Sequence, residues 1–440
     1  MRHVLALLLL FMIPAAPGHA ADIKPHRFVM PNGLTVLVVE QHALPMVHLQ
    51  ALVKTGSGQD PPDKAGLANL VASLLDEGTT TRSATQLAEQ IEFVGGTLDA
   101  KASHDFTTAT SRVLAKDADL GFELLADILI RPTFAETELA RVKKLILGEI
   151  TAQKDDPGSV AGKAFNRLVF NSHPYSWPVN GTEEALPAIT RADVQAFHAK
   201  EYLPNRTIVA VVGDVSTEQA RALVDKHFGA WQKGPVPERT LPAPAPIDKP
   251  VTELIDKDLT QTTLVLGHLG ISRTNPDFYA VSIMNYILGA GGFSSRLMDS
   301  IRDKQGLAYG VMSHFDAHAM PGAFLVSLQT RNATAAQAFE SVLKELNGMQ
   351  TLPVTAKELA EAKAYLIGSF PMRFDTTNKL AEILCQVEFY GLGLEYFSQY
   401  PKWIGKVTAE DIVRMAKQYL HPDRYVLVAV GKLSEAKLSK

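Results

Sequence analysis

Two stretches of the sequence share one pattern: ITRADVQAFHAKEYLPNRTIVAVVGDVS at residues 189–216 and VTAEDIVRMAKQYLHPDRYVLVAVGKLS at residues 407–434. Thr190 and Thr408 stand where they can cap a helix that ends at a Tyr-Leu pair and is followed by a proline turn. A run of β-branched and apolar residues then follows in both copies, which is typical of a buried strand. The pattern therefore predicts a duplicated chain whose two halves contain the same helix, turn and strand.

A proline-rich segment at residues 233–250 separates the two copies. Its prolines favour an extended conformation without regular hydrogen bonding, so we predict a linker and hinge between domains at 21–232 and 251–440, each with its own core. Within each half, helical patterns alternate irregularly with strand-like segments such as LTVLVVE and GAFLVSLQT. This alternation predicts an α+β fold in which each half has a mostly antiparallel sheet with helices packed on one face.

The first 20 residues have the composition of an export signal. A basic Arg2 precedes an apolar run, and the small residues Gly18 and Ala20 suit cleavage by a signal peptidase. The run is too short to cross a bilayer, and no later stretch offers roughly 18 consecutive apolar residues. We therefore expect a signal peptide at 1–20, a periplasmic location and no membrane span.

The charge and the cysteine content exclude two classes of function. The chain has 43 Lys and Arg residues against 47 Asp and Glu residues and no basic run, which argues against nucleic-acid binding. The single Cys385 cannot form an intramolecular disulfide. Its apolar neighbours in ILCQVEF favour packing over nucleophilic chemistry, and the sequence offers no Ser/His/Asp or Cys/His constellation.

The segment GLANLVASLLDEGTTT at residues 66–81 has the periodicity of a metal-binding helix but lacks its ligands. Positions i, i+3 and i+4 of a helix share one face. Two imidazoles on this face could bind a metal, and a carboxylate between them could accept a proton from a metal-bound water. Here these positions are Asn69, Ala72 and Ser73. The sequence thus predicts the helix but not the metal ligands or the carboxylate base that the three positions could carry.

These segments, together with NGLTVLVVE, ARVKKLILGEI, HPYSWPVNGTEEAL and SSRLMDSIRDKQGLAYGV in this order, resemble the M16 metallopeptidase family of the pitrilysin or inverzincin type. The resemblance covers essentially the whole chain after residue 20. It implies LuxS/MPP-like domains in both halves and a peptide substrate. The zinc motif of the family is His-x-x-Glu-His on a helix, with a distant glutamate as the third ligand.

The resemblance places Asn69 at the first histidine ligand, Ala72 at the catalytic glutamate and Ser73 at the second histidine, while Glu149 falls at the third ligand. One ligand of three remains, so the chain is expected to hold no metal and to be inactive alone. Without a metal, Glu149 is also compatible with an ordinary solvated carboxylate.

The segment SSRLMDSIRDKQGLAYGV predicts a short helix from about Ser295 to Lys304, a break at Gly306 and then a strand. Arg302 in the last helical turn and Tyr309 on the strand can point at one place. In the resemblance they match the Arg and Tyr that stabilise the oxyanion of the zinc-bound substrate. Spacing alone also allows a cation at a helix C-terminus, paired with an acidic neighbour, and a half-buried strand aromatic.

Five histidines are candidates for replacement metal ligands. His104, His173 and His268 lie in unrelated segments of the sequence. His314 and His318 have i, i+4 spacing, but their segment follows a strand and leads into a Pro-Gly turn, which is unsuited to a helix. We therefore expect no alternative metal site.

The leading hypothesis is an exported heteromeric peptidase in which this chain is the non-zinc subunit. A homologous partner would carry the zinc, and Arg302 and Tyr309 would complete its active site in trans. The alternative is a stand-alone protein of the same fold that binds peptides or assists assembly without catalysis. A neighbouring coding sequence with an intact His-x-x-Glu-His motif would separate the two.

Overall fold

The computed structural model describes residues 23–236 and 241–438. The predicted signal peptide and residues 237–240 of the predicted linker lie outside this part of the chain. The described residues of the linker form neither helix nor strand. No helix within residues 23–236 and 241–438 is long and apolar enough to cross a membrane.

The described residues form strands and helices in an irregular order along the chain. The strands are β1 (His26–Val29), β2 (Thr35–Glu40), β3 (Met46–Val53), β4 (Thr97–Ala102), β5 (Thr107–Leu114), β6 (Thr207–Gly213), β7 (Val251–Asp256), β8 (Gln261–Leu269), β9 (Ala308–Phe315), β10 (Ala323–Arg331) and β11 (Val426–Gly431). The helices of the first half are α1 (Leu67–Ala72), α2 (Ala84–Phe93), α3 (Ala118–Ile130), α4 (Glu136–Ala152), α5 (Pro157–Phe170), α6 (Ala185–Ala188), α7 (Arg191–Glu201) and α8 (Thr217–Phe228). Those of the second half are α9 (Phe278–Asn285), α10 (Ala335–Thr351), α11 (Ala356–Gly368), α12 (Thr377–Phe389), α13 (Tyr396–Lys406), α14 (Ala409–Tyr419) and α15 (Leu433–Ala436), with π-helical turns over Tyr286–Ala290 and Met298–Lys304.

Each half builds one sheet, and the predicted α+β class is confirmed. The strand order is β1-β2-β6-β3-β5-β4 in the first half and β7-β11-β8-β10-β9 in the second. One neighbouring pair in each sheet is parallel, β2 with β6 and β7 with β11, and the other pairs are antiparallel. The sheets are therefore mostly antiparallel, as the sequence predicts.

The duplicated segments form the same unit in both halves. Thr190 caps α7 and Thr408 caps α14, and each forms a capping box with an aspartate three residues later, Asp193 or Asp411. Each helix leads through a turn into a fully buried strand, β6 or β11. The unit that the sequence repeats thus fixes one long buried strand in each sheet.

Each sheet carries helices of its own half on one face and one helix of the other half on the opposite face. Helix α12 of the second half packs on β3 and β6, and Leu37 and Ile208 of the first sheet share a buried cluster with Leu384. Helix α5 of the first half packs on β8 and β11, where Phe165 joins Val428. The first half has a buried cluster made of its own residues, between Met30 and Trp231, and the exchanged helices add shared clusters that join the two halves.

Cys385 belongs to the exchanged helix α12. Its side chain is fully buried, and its thiol donates to the carbonyl oxygen of Gln50 on β3 at 3.5 Å. Burial raises the pKa of the Cys385 thiol well above its usual value. Cys385 therefore packs between the halves, in agreement with the sequence interpretation.

Candidate functional site

Helix α1 is held at its N-terminus as a metal-binding helix would be. Gly66 has φ of +98°, and a Cβ there would lie 2.7 Å from the Cα of Gly181. The buried carboxylate of Asp60 accepts the backbone N–H groups of Gly66 and Ala68, both at 2.8 Å. The first backbone N–H groups of a helix have no partner within the helix, and Asp60 accepts two of them here. The start of α1 is therefore well defined.

The three positions that correspond to the zinc motif, Asn69, Ala72 and Ser73, are called the degenerate positions, and they offer no zinc site. Asn69 and Ser73 are half-buried, and Ala72, the last residue of α1, is fully buried. Glu149 is exposed on α4. Within the described part of the chain, no group of three or more His, Cys, Asp or Glu residues could hold a metal ion. An amide, a methyl and a hydroxyl group do not supply the imidazole ligands or the base of a zinc hydrolase, so the residues do not fit the metal.

Arg302 and Tyr309 come together, as the spacing predicts. Arg302 lies in the π-helical turns over Met298–Lys304, and Gly306, with φ of +61°, reverses the chain before β9. The guanidinium carbon of Arg302 is 5.1 Å from the centroid of the Tyr309 ring. Asp299, the acidic neighbour one turn back, pairs with Lys304 at 2.5 Å instead, and the described residues show no ion pair for Arg302.

A β-bulge turns Tyr309 out of the sheet. Thr330 of β10 stands opposite Ala308 and Leu328 opposite Val311, so two residues, Tyr309 and Gly310, face the single Gln329. The Tyr309 side chain is 89% exposed. The alternative interpretation of a half-buried strand aromatic is therefore wrong, and the phenol group is free to meet a ligand.

Phe293 forms a third part of this site that the sequence interpretation missed. Its ring centroid lies 4.5 Å from the guanidinium carbon of Arg302, and the side chain is 72% exposed. Phe293 follows Gly292, whose φ is +58°. Arg302 is thus in contact with two exposed aromatic rings, which orient its guanidinium plane while its N–H groups remain available as donors.

A cavity of about 570 Å³ opens beside Tyr309. It lies between α5 of the first half and the face of the second sheet that α5 covers incompletely. Its walls include Phe165, Val265, Met312 and Leu325, with Gly162 on the helix side. Tyr309 therefore borders a partly apolar space large enough for a side chain of a bound molecule.

Three of the histidines considered as ligands gather around one tyrosine. The ring centroids of His104, His173 and His318 lie 5.0, 4.6 and 5.2 Å from that of Tyr175. These histidines belong to separate segments of the sequence, but the β4–β5 and β9–β10 hairpin tips meet at the boundary between the halves and bring His104 next to His318. His268 lies elsewhere, with its ring 4.7 Å from that of His421.

The cluster around Tyr175 is a polar contact between the halves. The Tyr175 hydroxyl donates to Asp105 at the β4–β5 tip, which also accepts the backbone N–H of Ala319 at 2.8 Å. His318 lies 3.0 Å from Asp316 and 3.8 Å from Asp105. Burial lowers the pKa of His318, but the hydrogen bond to Asp316 and the two carboxylate charges outweigh it, so the pKa lies above its usual value.

Two family models match successive parts of the chain. Residues 35–183 match the one described as insulinase (peptidase family M16), and residues 188–366 match the one described as the peptidase M16 inactive domain. The first match contains the degenerate positions, and the second contains Arg302 and Tyr309.

Whole-chain comparisons agree with these matches. An uncharacterized zinc protease of Mycobacterium leprae is 32% identical over 423 residues, covering 93% of this chain and 92% of the relative. Another from Mycobacterium tuberculosis is 30% identical and covers 95% of both chains. The crystal structure of a peptidase M16 inactive domain from Pseudomonas fluorescens superposes with a TM-score of 0.87 at 32% identity, covering 93% of this chain and 98% of that one. A Helicobacter pylori protease, at 23% identity, shares the fold with a TM-score of 0.86.

Proposed function

The chain belongs to the M16 peptidase family, and on that premise we propose that it is the non-zinc subunit of a heteromeric M16 peptidase. A homologous zinc-bearing subunit is its partner, and a peptide is the substrate. Arg302 and Tyr309 of this chain complete the partner's active site. The predicted export signal at residues 1–20 supports a periplasmic location for this complex.

One combination of features carries this proposal: the same chain has a zinc-site helix without ligands and an Arg302–Tyr309 pair in which Arg302 is half-buried and Tyr309 is exposed. Exposed aromatic side chains bury apolar area when a ligand or a partner covers them. Tyr309 at 89% exposure and Phe293 at 72% are such side chains.

The two donors suit the reaction of a peptidase. Attack of water on a peptide carbonyl creates a tetrahedral oxyanion, and hydrogen-bond donors that are already oriented stabilise it. The Arg302 guanidinium carries a permanent positive charge with several N–H donors, and the Tyr309 hydroxyl adds one neutral donor. A zinc ion held by the partner would supply the activated water, and Arg302 and Tyr309 of this chain would hold the carbonyl oxygen of the substrate.

Reconstitution tests the proposal directly. The mature chain and a zinc-bearing M16 homologue from the same genome are purified separately and then mixed, and cleavage of a quenched fluorescent peptide library is followed. We expect little cleavage by either protein alone and strong cleavage by the mixture. The Arg302→Ala variant should associate with the partner and fail to restore cleavage. A partner that cleaves equally well without this chain, or a chain that binds peptides but no zinc-bearing homologue, would instead support the stand-alone binding protein.

A further inference from the structure

A second cavity, of about 300 Å³, lies within the second half and shares no lining residue with the cavity beside Tyr309. Its walls come from the loop after β8, the start of α9, the turn at Phe370–Arg373, helix α12 and the start of α13. The lining contains three cationic side chains, Arg273, Arg373 and Lys379, and a single carboxylate, Glu382. The cavity is therefore predominantly cationic.

Arg273 is fixed in place without a carboxylate partner. Its guanidinium carbon lies 3.9 Å from the centroid of the Phe278 ring and 5.8 Å from that of Tyr396. Its Nη2 donates to the Tyr396 hydroxyl at 3.4 Å. The described residues include no ion-pair partner for Arg273. A guanidinium that stacks on a ring keeps its in-plane N–H donors available for an oxyanion.

Arg373 lines the same cavity from the turn at Phe370–Arg373. Its guanidinium carbon lies 5.2 Å from the centroid of the Tyr400 ring, and again the described part of the chain contains no ion-pair partner for it. Burial raises the pKa of Tyr396 and Tyr400 despite the nearby arginines, so both hydroxyls are protonated at neutral pH. Two oriented guanidinium groups and neutral phenols therefore share this region.

The remaining charges do not neutralise the two arginines. Lys379 is paired with Asp375 at 2.9 Å, so that charge is balanced locally. Glu382 accepts a hydrogen bond from Gln386 and offsets one of the two arginine charges. One positive charge is left in the cavity, and a bound anion would balance it.

We propose that this cavity binds a small organic anion through a carboxylate or phosphate group held between Arg273 and Arg373. Both groups match the forked donors of arginine. The volume suits a small ligand, since ligand pockets begin at roughly 300 Å³. The aromatic walls formed by Phe278, Tyr390 and Tyr396 can pack against the apolar part of the ligand. The inference is independent of the proposed peptidase role.

Titration calorimetry with the mature chain tests this site. Inorganic phosphate and citrate are the two probes, each at constant ionic strength with chloride as the reference anion. We expect saturable binding of at least one probe. Arg273→Gln and Arg373→Gln should each weaken binding by about tenfold or more, because a hydrogen bond to a charged group is lost. Arg331→Gln is the matched control, since Arg331 is exposed on β10 outside the cavity.

Each result then supports or overturns the site. Binding of phosphate alone assigns the site to phosphate compounds, binding of citrate alone assigns it to carboxylates, and binding of both supports the shared chemistry. Arg373 is exposed, so Arg373→Gln tests the site even if Arg273→Gln fails to fold. Absence of saturable binding for both probes would overturn the proposal. So would affinities in the folded variants equal to that of the unmodified chain.

Discussion

The guanidinium carbon of Arg302 lies 5.1 Å from the centroid of the Tyr309 ring, across a chain reversal at Gly306. The π-helical turns bring Arg302 to this point, and the β-bulge turns Tyr309 toward it. Both side chains reach solvent, and within the described residues Arg302 makes no ion pair. The two donors are therefore oriented before any substrate arrives, which is the condition for efficient stabilisation of a developing charge.

The first prediction concerns turnover of the reconstituted complex. Arg302→Ala or Tyr309→Phe should lower kcat on the order of 10²-fold with a smaller change in KM, because an oxyanion donor acts mainly in the transition state. The double variant should lose less than the product of the two effects, since both groups serve one charge. Steady-state kinetics with the zinc-bearing partner measure this.

Folding controls accompany these variants. Tyr309 is 89% exposed, so removing its hydroxyl leaves no internal cavity, and the melting temperature should be unchanged. Lys304→Ala removes an exposed cation from the same turn and should keep full turnover. Full activity of both Arg302→Ala and Tyr309→Phe would contradict the proposed role in trans.

The second prediction assigns Phe293 to the orientation of Arg302. Phe293→Ala should lower kcat by roughly three- to thirtyfold, in line with a partly exposed cation–π contact. Phe293→Tyr keeps the aromatic ring beside the guanidinium and should retain turnover. A double variant that loses no more activity than Arg302→Ala alone would confirm that Phe293 acts through Arg302. Independent, multiplying losses would count against it.

The third prediction is that the purified chain holds no stoichiometric zinc, as measured by elemental analysis. Asn69→His with Ser73→His restores two ligands beside Glu149 and should raise the zinc content. Adding Ala72→Glu should destabilise the fold by about 2 kcal/mol or more, because Ala72 is fully buried and a carboxylate there loses its hydration. Urea denaturation compares the variants. One tightly bound zinc per unmodified chain would contradict the prediction.

The sequence predicted those parts of the fold that local patterns determine. Thr190 and Thr408 mark helix starts by capping, and the β-branched runs after them become buried strands because both faces of each sheet are covered. The exchange of α5 and α12 was not predictable in this way. An amphipathic helix shows which of its faces is buried, but not which sheet it packs on.

The candidate site was predicted in part for similar reasons. Only a helix end, a turn and the start of a strand separate Arg302 from Tyr309 in the sequence. The contact between their side chains therefore follows from local structure. Phe293 was missed because the π-helical turns between it and Arg302 follow no regular α-helical period. The contact between His104 and His318 was not predicted, because the two residues are far apart in sequence and meet across the boundary between the halves.

The fourth prediction follows from the exchanged helix α12. Leu384→Ala should destabilise the protein by about 2–5 kcal/mol, because Leu384 is fully buried in the core that joins both halves. Two variants each keep one tryptophan, either Trp231 of the first half or Trp403 of the second, with the other tryptophans replaced by Phe. The fluorescence of both variants should report the same unfolding transition. Leu352→Ala, at a 60% exposed leucine, should have little effect. Two separate transitions would show that the halves fold independently.

The fifth prediction concerns pH and the contact between the hairpin tips. His318 faces Asp316, Asp105, His104 and Tyr175. Its folded-state pKa lies above the unfolded value of 6.5, so its stabilising contribution is complete below about pH 6.5 and is lost as the pH rises through the folded pKa. The folded-state pKa of Asp316 lies below its usual value, although burial raises it, because His318 hydrogen-bonds to its carboxylate. The carboxylate therefore remains charged through this range.

His104 affects stability in the same pH range with the opposite sign. The effect of His318 is therefore measured as the difference in unfolding free energy between two chains. Burial and, less strongly, the charge on His318 lower the pKa of His104 to about 4, which costs stability as the pH falls below 6.5; His318→Gln removes only the weaker of these two causes. His318→Gln removes the charge and keeps a polar side chain. The difference in unfolding free energy between the unmodified chain and this variant should be about 1 kcal/mol at pH 6 and should shrink toward pH 9, because Asp316 is half-exposed and the pair is partly screened. His26→Gln, at an exposed histidine on β1, should show no such trend. A difference that stayed constant from pH 6 to pH 9 would mean that the proton on His318 does not stabilise the contact between the halves.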